Sequence, residues 1–524
     1  MRLDARRESS TCAAFLVSNK PVTVMTNPVN RIETPRANSR IALPASRALL
    51  LREVLAGVVT SLALIPEVIS FSFISGVEPR SALFASVVLL IVTSLFGGRP
   101  AMVTAAAGSV ALVVGPMVHA HGAGYLLPAV LLGGLIQVAF GVLGFARIVR
   151  FIPRSVMLGF VNALGILIFS AQLPHVIGKP LAVYLLLAIT LAIVLIGPRV
   201  TRAVPSPLIA IVVATGVAAA LQWAVPTVGG DHPGPADLPG LTPWTVPFDL
   251  GTLKIVWQTS ISIAFVGLLE TLLTAKLVDE MTETRSNKTR ESWALGLGNL
   301  CAGAFGGIAG CAMIGQTVVN VGIGGARTRV STLAAAGTLL LLMTGLSSVM
   351  AHIPMVALAG VMMVVAARTV DWHSLRPATL RRMPLMETSV MLVSVGLTVY
   401  TGNLALGVVA GVLLATVLFA RRVAHVIRTT RRVSADQQSV RYEVHGPLFF
   451  GSSNDLVDRF EYGGDPRTVV IDFSDSQIWD ASTVAALDAI ELKYRQHGIE
   501  VQLTGLDERS RAFHAGLSGN LNVG

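Results

Sequence analysis

A carboxylate inside an apolar run is the first feature with chemical content. Glu270 is flanked by Ser260–Leu269 on one side and Thr271–Ala275 on the other. At the centre of a membrane helix an ionised acid is disfavoured by roughly 2.5–3.5 kcal/mol, so it marks an ion path, a bound cation or an exchangeable proton. Thr274 follows one helical turn later on the same face and adds a hydroxyl oxygen of the kind a hard cation takes. A second acid, Glu67, directly follows Pro66, whose ring leaves a backbone carbonyl free. Two readings of Glu67 stay open, a site-lining group and a structural part of a helix kink. Gln316 and Asn320, one turn apart, either face the site or bond across helices.

About forty residues after Glu270 the chain reads Phe305-Gly306-Gly307-Ile-Ala-Gly310-Cys311-Ala312-Met313-Ile-Gly315-Gln316-Thr317, too broken for an ordinary spanning helix. Irregular backbone at membrane depth survives only where it lines a cavity or is buried in protein. The first half carries an echo: Phe96-Gly97-Gly98, then Ala105-Ala106-Ala107-Gly108-Ser109. Glycine-interrupted segments at matching positions of two halves point to a transporter's binding site. Two half-helices ending near the midplane present N-termini with roughly half a positive charge each and unpaired N–H donors. The small residues at those tips, Ala106, Ala107 and Gly108 in one and Gly310, Cys311 and Ala312 in the other, let an anion approach the backbone. An acid beside an anion site makes sense if Glu270 and Thr274 hold a cotransported cation or proton.

The elements that must position these groups follow from composition. The chain has 524 residues, of which 53% are hydrophobic and 13% charged, with a mean hydropathy of +0.68. A soluble domain carries about 25% charged residues. The net charge of +10 sits in short loops between apolar runs, a positive-inside pattern rather than a nucleic-acid face. About fourteen spanning segments are expected, from Val54–Phe73 to Leu406–Phe419. The third is Ala101–Val118, the eighth Val256–Ala275 and the tenth Cys311–Val321. Basic residues follow the even-numbered segments, and the stretch from Val225 to Gly251 has no Lys or Arg. Both termini are therefore expected in the cytoplasm. Asp279 and Glu280, at a membrane edge, read as solvated. Three cysteines without framework spacing argue against disulfides and a thiolate zinc site.

Residues 1–48 read as a disordered cytoplasmic tail, 49–424 as the membrane domain, 425–438 as a basic linker and 439–524 as a small α/β domain. In the last, Arg441–Val444, Leu448–Gly451, Val469–Phe473 and Glu500–Leu503 read as strands. Asn454–Phe460, Ser482–Gln496 and Asp507–Gly516 read as helices. Asp480-Ala481-Ser482-Thr483 at a helix start is either an N-cap or a regulatory, phosphorylatable site at Ser482 or Thr483.

Ala63-Leu-Ile-Pro66-Glu67, Leu269-Glu270-Thr-Leu-Leu-Thr274, Phe305-Gly306-Gly307 and Gly324-Gly325-Ala326-Arg327-Thr328 together resemble the SulP family of inorganic anion transporters. The Asp480–Thr483 turn is similar to that of STAS domains, with Ala481 a departure. The resemblance implies an α-helical polytopic fold built as a seven-plus-seven inverted repeat, with core and gate domains like those of uracil permeases. It also implies an elevator-like cycle, a homodimer in the cytoplasmic membrane and a cytoplasmic STAS domain. Its transported partners are small anions such as bicarbonate, sulfate, chloride or dicarboxylates, coupled to Na⁺ or H⁺. Ala309–Gln316 is closer to the sodium-dependent bicarbonate branch, which implies Na⁺ at Glu270, Thr274 and the Gly310–Ala312 backbone. No other cofactor, no nucleic acid and no enzymatic activity is expected. The competing readings are an anion channel or exchanger, a STAS-linked membrane sensor and a nucleobase permease.

Overall fold

The computed structural model describes residues 46–144, 152–200, 205–228, 239–345, 350–424 and 427–519. They fall into two compact units that divide between Val412 and Leu413. The expected tail lies almost wholly outside the described residues, as do the loop residues Arg147, Arg150 and Arg202.

The first unit is helical. Its first half comprises α1 (Arg47–Ser75), α2 (Pro79–Phe96), a short strand β1 (Thr104–Ala106), α3 (Gly108–His121), α4 (Leu126–Val142), α5 (Arg154–Gln172), α6 (Leu181–Val200) and α7 (Ser206–Ala220). The second half follows with α8 (Leu250–Thr282), α9 (Lys288–Ala304), β2 (Gly310–Ala312), α10 (Ile314–Val318, continued by a π-helical turn Val319–Ile323) and α11 (Arg329–Gly345). It ends with α12 (Met355–Thr369), α13 (Leu385–Thr401) and α14 (Leu404–Ala424), the last crossing into the second unit. Each of the fourteen expected segments overlaps one of these helices. Among the described residues seven helices are long and apolar enough to cross a membrane, and five shorter apolar ones accompany them.

Local chemistry sets the ends. Ser46, Asp249 and Asn287 cap α1, α8 and α9 by accepting from Leu49, Thr252 and Arg290 N–H at 3.3, 2.7 and 2.9 Å. Arginines satisfy carbonyls where helices stop, as cations do at a negative dipole end. Arg290 donates to Phe96 O and Arg329 to Gly97 O, each at 2.7 Å, closing α2. Arg52 reaches Gly325 O at 2.8 Å and Arg327 reaches Val321 O at 2.7 Å, closing the α10 segment. Asp279 is not a free solvated acid: Arg99 donates to it at 3.0 Å and Lys288 at 2.7 Å.

Packing in this unit has a mirror. α1 packs on α11 as α8 packs on α4, α2 on α11 as α9 on α4, and α5 on α13 as α12 on α6, while α2–α9 and α5–α12 are their own counterparts. Exchanging helix n for helix n + 7 reproduces the pattern, as an inverted repeat requires. The same packing sorts the helices into two groups, α1–α4 with α8–α11, and α5–α7 with α12 and α13. The groups touch chiefly where α1 meets α7 and α12 and where α3 meets α5.

The second unit holds a four-stranded sheet ordered β3-β4-β5-β6 (Arg428–Val433, Ser439–Leu448, Thr468–Ile478, Glu500–Thr504), antiparallel at β3–β4 and parallel thereafter. Helices α15 (Phe450–Val457), α16 (Ala481–Gln496) and α17 (Glu508–Leu517) complete it. Two expectations change. Arg428–Val433, expected within the linker, is an edge strand whose Arg431 is ion-paired to the buried side chain of Asp465 at 2.8 Å. Leu448–Gly451, expected as a strand, instead ends β4 and starts α15.

Candidate functional site

β1 and β2 pair antiparallel, Thr104 with Ala312, Ala105 with Cys311 and Ala106 with Gly310, and all six residues are buried. Each short strand runs directly into a helix, β1 into α3 and β2 into α10. The break expected in the third and tenth segments is therefore a crossing of extended backbones, which brings two helix N-termini from different halves to one place.

Helices α4, α8 and α9 hold β2 there. Asn299 is fully buried and grips Gly310 from both sides, accepting its N–H at 2.7 Å and donating to its carbonyl at 3.1 Å. Gln137 accepts from Asn299 at 2.7 Å and donates to Ile263 O at 3.2 Å, tying α4 to α8. Thr271 accepts the Ala312 N–H at 2.9 Å, and Thr274 lies 3.0 Å from Ala312 O and 2.8 Å from Glu270 O. Gly310 admits no side chain, since a Cβ would stand 2.2 Å from Ala105 O.

Glu270 sits at the crossing. Its Oε2 accepts from Ser109 Oγ at 2.5 Å and from Cys311 Sγ at 3.1 Å. Ser109 is the second residue of α3 and Cys311 the middle of β2, so one carboxylate bridges the two halves. Glu67 holds the mirrored position. It lies on α1, the counterpart of α8, and α1 packs against α10, whose first turn carries Gln316. Each acid-bearing helix therefore meets the broken segment of the opposite half. Among the described residues neither acid has a cationic partner within 4.0 Å.

The structure brings Glu270, Thr274, Gly310, Cys311 and Ala312 together with Ala106, Ala107 and Gly108. It also relocates the free donors. The N–H groups of Gly310, Ala312 and Ala106 are taken by Asn299, Thr271 and Ser86, and Cys311 is in the ladder. No side chain caps α3, which begins at Gly108, or α10, which begins at Ile314. First-turn N–H groups have no partner inside a helix, so the donors available to an anion are those of Gly108–Val110 and Ile314–Gln316. Asn320 bonds across helices, to Ala101 O and Ser331 Oγ. Ser86, Ser109, Gln137, Thr271 and Asn299 escaped the sequence reading, because such residues in apolar helices are unremarkable until their partner is known.

In the second unit Asp480 is the N-cap of α16, accepting from Thr483 N–H at 3.0 Å, and its other oxygen takes Phe450 N–H at 2.5 Å. Thr483 is buried with its hydroxyl 3.1 Å from Asp480 Oδ1, whereas Ser482 is exposed.

Comparison with known proteins follows the same division. The sulfate permease family profile matches residues 50–182 and 179–394, and the STAS domain profile matches residues 428–517. "Putative sulfate transporter YbaR" of Bacillus subtilis is 46% identical over 462 residues, 88% of this chain and 96% of the relative. The bicarbonate transporter BicA of Picosynechococcus is 26% identical, across 84% of this chain and 86% of its own length. Among solved structures, murine Slc26a9 in the inward-facing state matches with TM-score 0.80 at 17% identity, covering 92% of this chain and 89% of that one. The transmembrane domain of a cyanobacterial BicA matches with TM-score 0.61 at 24% identity, covering 72% of this chain and all of that domain. The chain belongs to the sulfate permease family of membrane anion transporters and carries a STAS domain after its helical unit.

Proposed function

We propose that the protein is a secondary active transporter of a small oxyanion, sulfate or bicarbonate, coupled to Na⁺ or H⁺ through Glu270. One observation carries the reading: the uncapped N-termini of α3 and α10 follow directly on the β1–β2 crossing, and the Glu270 carboxylate bonds Ser109 of α3 and Cys311 of β2 there. The helix ends supply positive potential and N–H donors to the anion. Glu270, with Thr274 and the neighbouring carbonyls, supplies oxygen to a cation or exchanges a proton. Because α1–α4 and α8–α11 form one group and the remaining helices another, the site lies within the first group. It would be carried past the second in an elevator-like cycle. Fourteen spans, cytoplasmic termini and STAS domain, and a homodimer in the cytoplasmic membrane complete the proposal. Ser482, exposed at a helix N-terminus, is the hydroxyl suited to regulation there.

Uptake of labelled sulfate and bicarbonate into proteoliposomes, with and without an inward sodium gradient, tests it. Saturable uptake of one anion that follows the Na⁺ or the pH gradient, and loses that dependence in Glu270→Gln, is the expected result. Uptake whose coupling survives Glu270→Gln removes the acid's role. A persistent conductance without saturable uptake removes the transporter mechanism.

A further inference from the structure

Two of the helices that hold β2 in place, α4 and α8, also share an outward face. They approach closely where Gly133 lies against Ile263, a Cβ there standing 3.0 Å from its Cγ2, and Ser260 donates to Ala129 O at 3.0 Å. On the outward side they leave a groove of about 390 Å³, lined by Leu132 and Ile136 of α4 and by Leu253, Lys254, Trp257 and Ile261 of α8. The apolar members keep i, i + 4 spacing, so each helix contributes one stripe. From Lys254 to Ile261 the helix rises about 10 Å, roughly two-thirds of the hydrocarbon depth of one leaflet.

The groove is apolar except at one end, where Lys254 stands. Among the described residues no carboxylate lies within 4.0 Å of its ammonium. The nearest acid in sequence, Asp249, is committed to capping α8 through the Thr252 N–H at 2.7 Å. Just before α8, Trp244 and Phe248 stack with ring centroids 4.0 Å apart and stay exposed. Such rings gather where hydrocarbon meets headgroups, which puts Lys254 near headgroup level. The Trp244 indole N–H is satisfied by Val246 O at 2.6 Å. The Trp257 indole, 53% exposed, has no partner among the described residues. A second protein surface laid here would bury an unpaired ammonium, which is costly. A lysine with nothing to bind would turn its head out to water, away from the stripe. A cation kept on the rim of an apolar groove suits a ligand with one negative group and a long hydrocarbon tail.

We propose that the α4–α8 groove binds an anionic glycerophospholipid: an acyl chain lies along Leu132, Ile136, Leu253 and Ile261, the phosphate pairs with Lys254, and the Trp257 N–H donates to an ester or phosphate oxygen. In the orientation proposed above, the lipid comes from the outer leaflet. The site is placed to matter beyond the surface. Ile136 lines the groove, and its neighbour Gln137 turns inward to Asn299 and to Ile263 O. A bound lipid therefore braces the same α4–α8 contact that keeps β2 in register.

The test uses the delipidated full chain in detergent, with dioleoyl phosphatidylglycerol or dioleoyl phosphatidylethanolamine added. Native mass spectrometry reads the first lipid bound, and thermal melting reads its effect on the fold; neither depends on anion transport. The wild type is expected to bind the anionic lipid about fivefold more tightly than the zwitterionic one, the contribution of a single lysine near the headgroups. Its melting temperature should rise with anionic lipid concentration, as for any ligand of the folded state. Lys254→Gln removes the preference and the added melting shift, Lys254→Arg keeps both, and Leu132→Trp, which fills the groove, weakens binding of both lipids. An undiminished preference in Lys254→Gln overturns the proposal, as does a wild type that retains neither lipid. A lipid-free wild type that self-associates, and dissociates in Leu132→Trp, gives the groove to a second copy and overturns it as well. If Leu132→Trp does not fold, the Gln and Arg variants of the exposed Lys254 decide alone.

Discussion

At the scale of single residues the site is built from contacts that differ in how visible they are beforehand. Glu270 and Glu67 stand out because an acid in an apolar run is locally costly. Thr271 does not, yet its hydroxyl alone accepts the Ala312 N–H. A buried N–H left without a partner costs about 1–3 kcal/mol. Thr271→Val, equal in shape, is therefore expected to lower the melting temperature of the detergent-solubilised protein, with Thr271→Ser restoring it; equal melting of the Val and Ser variants would count against that bond. In the STAS domain the Arg441 guanidinium, followed by Ser474, holds the Asp472 carboxyl down at about 2. A carboxyl whose folded pKa lies below its unfolded value of about 3.9 adds stability above that unfolded value and loses it as pH falls through the folded one. Acid unfolding of the domain between roughly pH 4 and 2, followed by amide exchange in β5, should flatten in Asp472→Asn. An unchanged acid limb would show that Arg441 contributes nothing there.

Elements show a different balance. The helices are legible because hydrophobic runs of spanning length and basic loop residues are local signals. The strand pair is not, since three residues carry no usable alternation and the partners lie in different halves of the chain. The glycine runs marked where the break occurs. They did not show that the break is a ladder, or that Asn299 of α9 and Gln137 of α4 keep β2 in register. Asn299→Leu leaves the Gly310 N–H and carbonyl buried and unpaired, a loss of the order of 3 kcal/mol. It is expected to abolish coupled uptake along with the drop in stability. Retained uptake at wild-type rates would mean that β2 is held by the ladder alone. The same limit explains Leu448–Gly451: an apolar stretch that short does not distinguish a strand's end from a helix's beginning.

For the whole molecule, the division into two units is legible from the α/β pattern that follows the last apolar segment, but the edge expected at residue 439 lies too late. Ile427 is buried in the core with Tyr442, Phe473 and Tyr494, and β3 supplies Arg431 to the buried Asp465. The C-terminal unit therefore starts before β3. A fragment of residues 427–519 is expected to be monodisperse and to unfold cooperatively. One beginning at Ser439 lacks β3, exposes a sheet edge and leaves the Asp465 carboxylate without its guanidinium; it is expected to aggregate. Equal behaviour of the two fragments would assign β3 no part in the domain.

The ladder at the centre of the helical unit also governs how the protein is made. Thr104 pairs with Ala312, a partner translated roughly two hundred residues later, which at 5–20 residues per second is a delay of about 10–40 s. Throughout that interval β1 lacks its mate while the rest of the first half, α3 to α7, is made and inserted behind it. Insertion of the first half is therefore provisional. Either the insertion machinery or neighbouring helices must shelter the open backbone until the ribosome delivers the second half. A chain truncated before β2 would be released with that backbone exposed, a mark by which membrane quality control can tell an unfinished copy from a finished one.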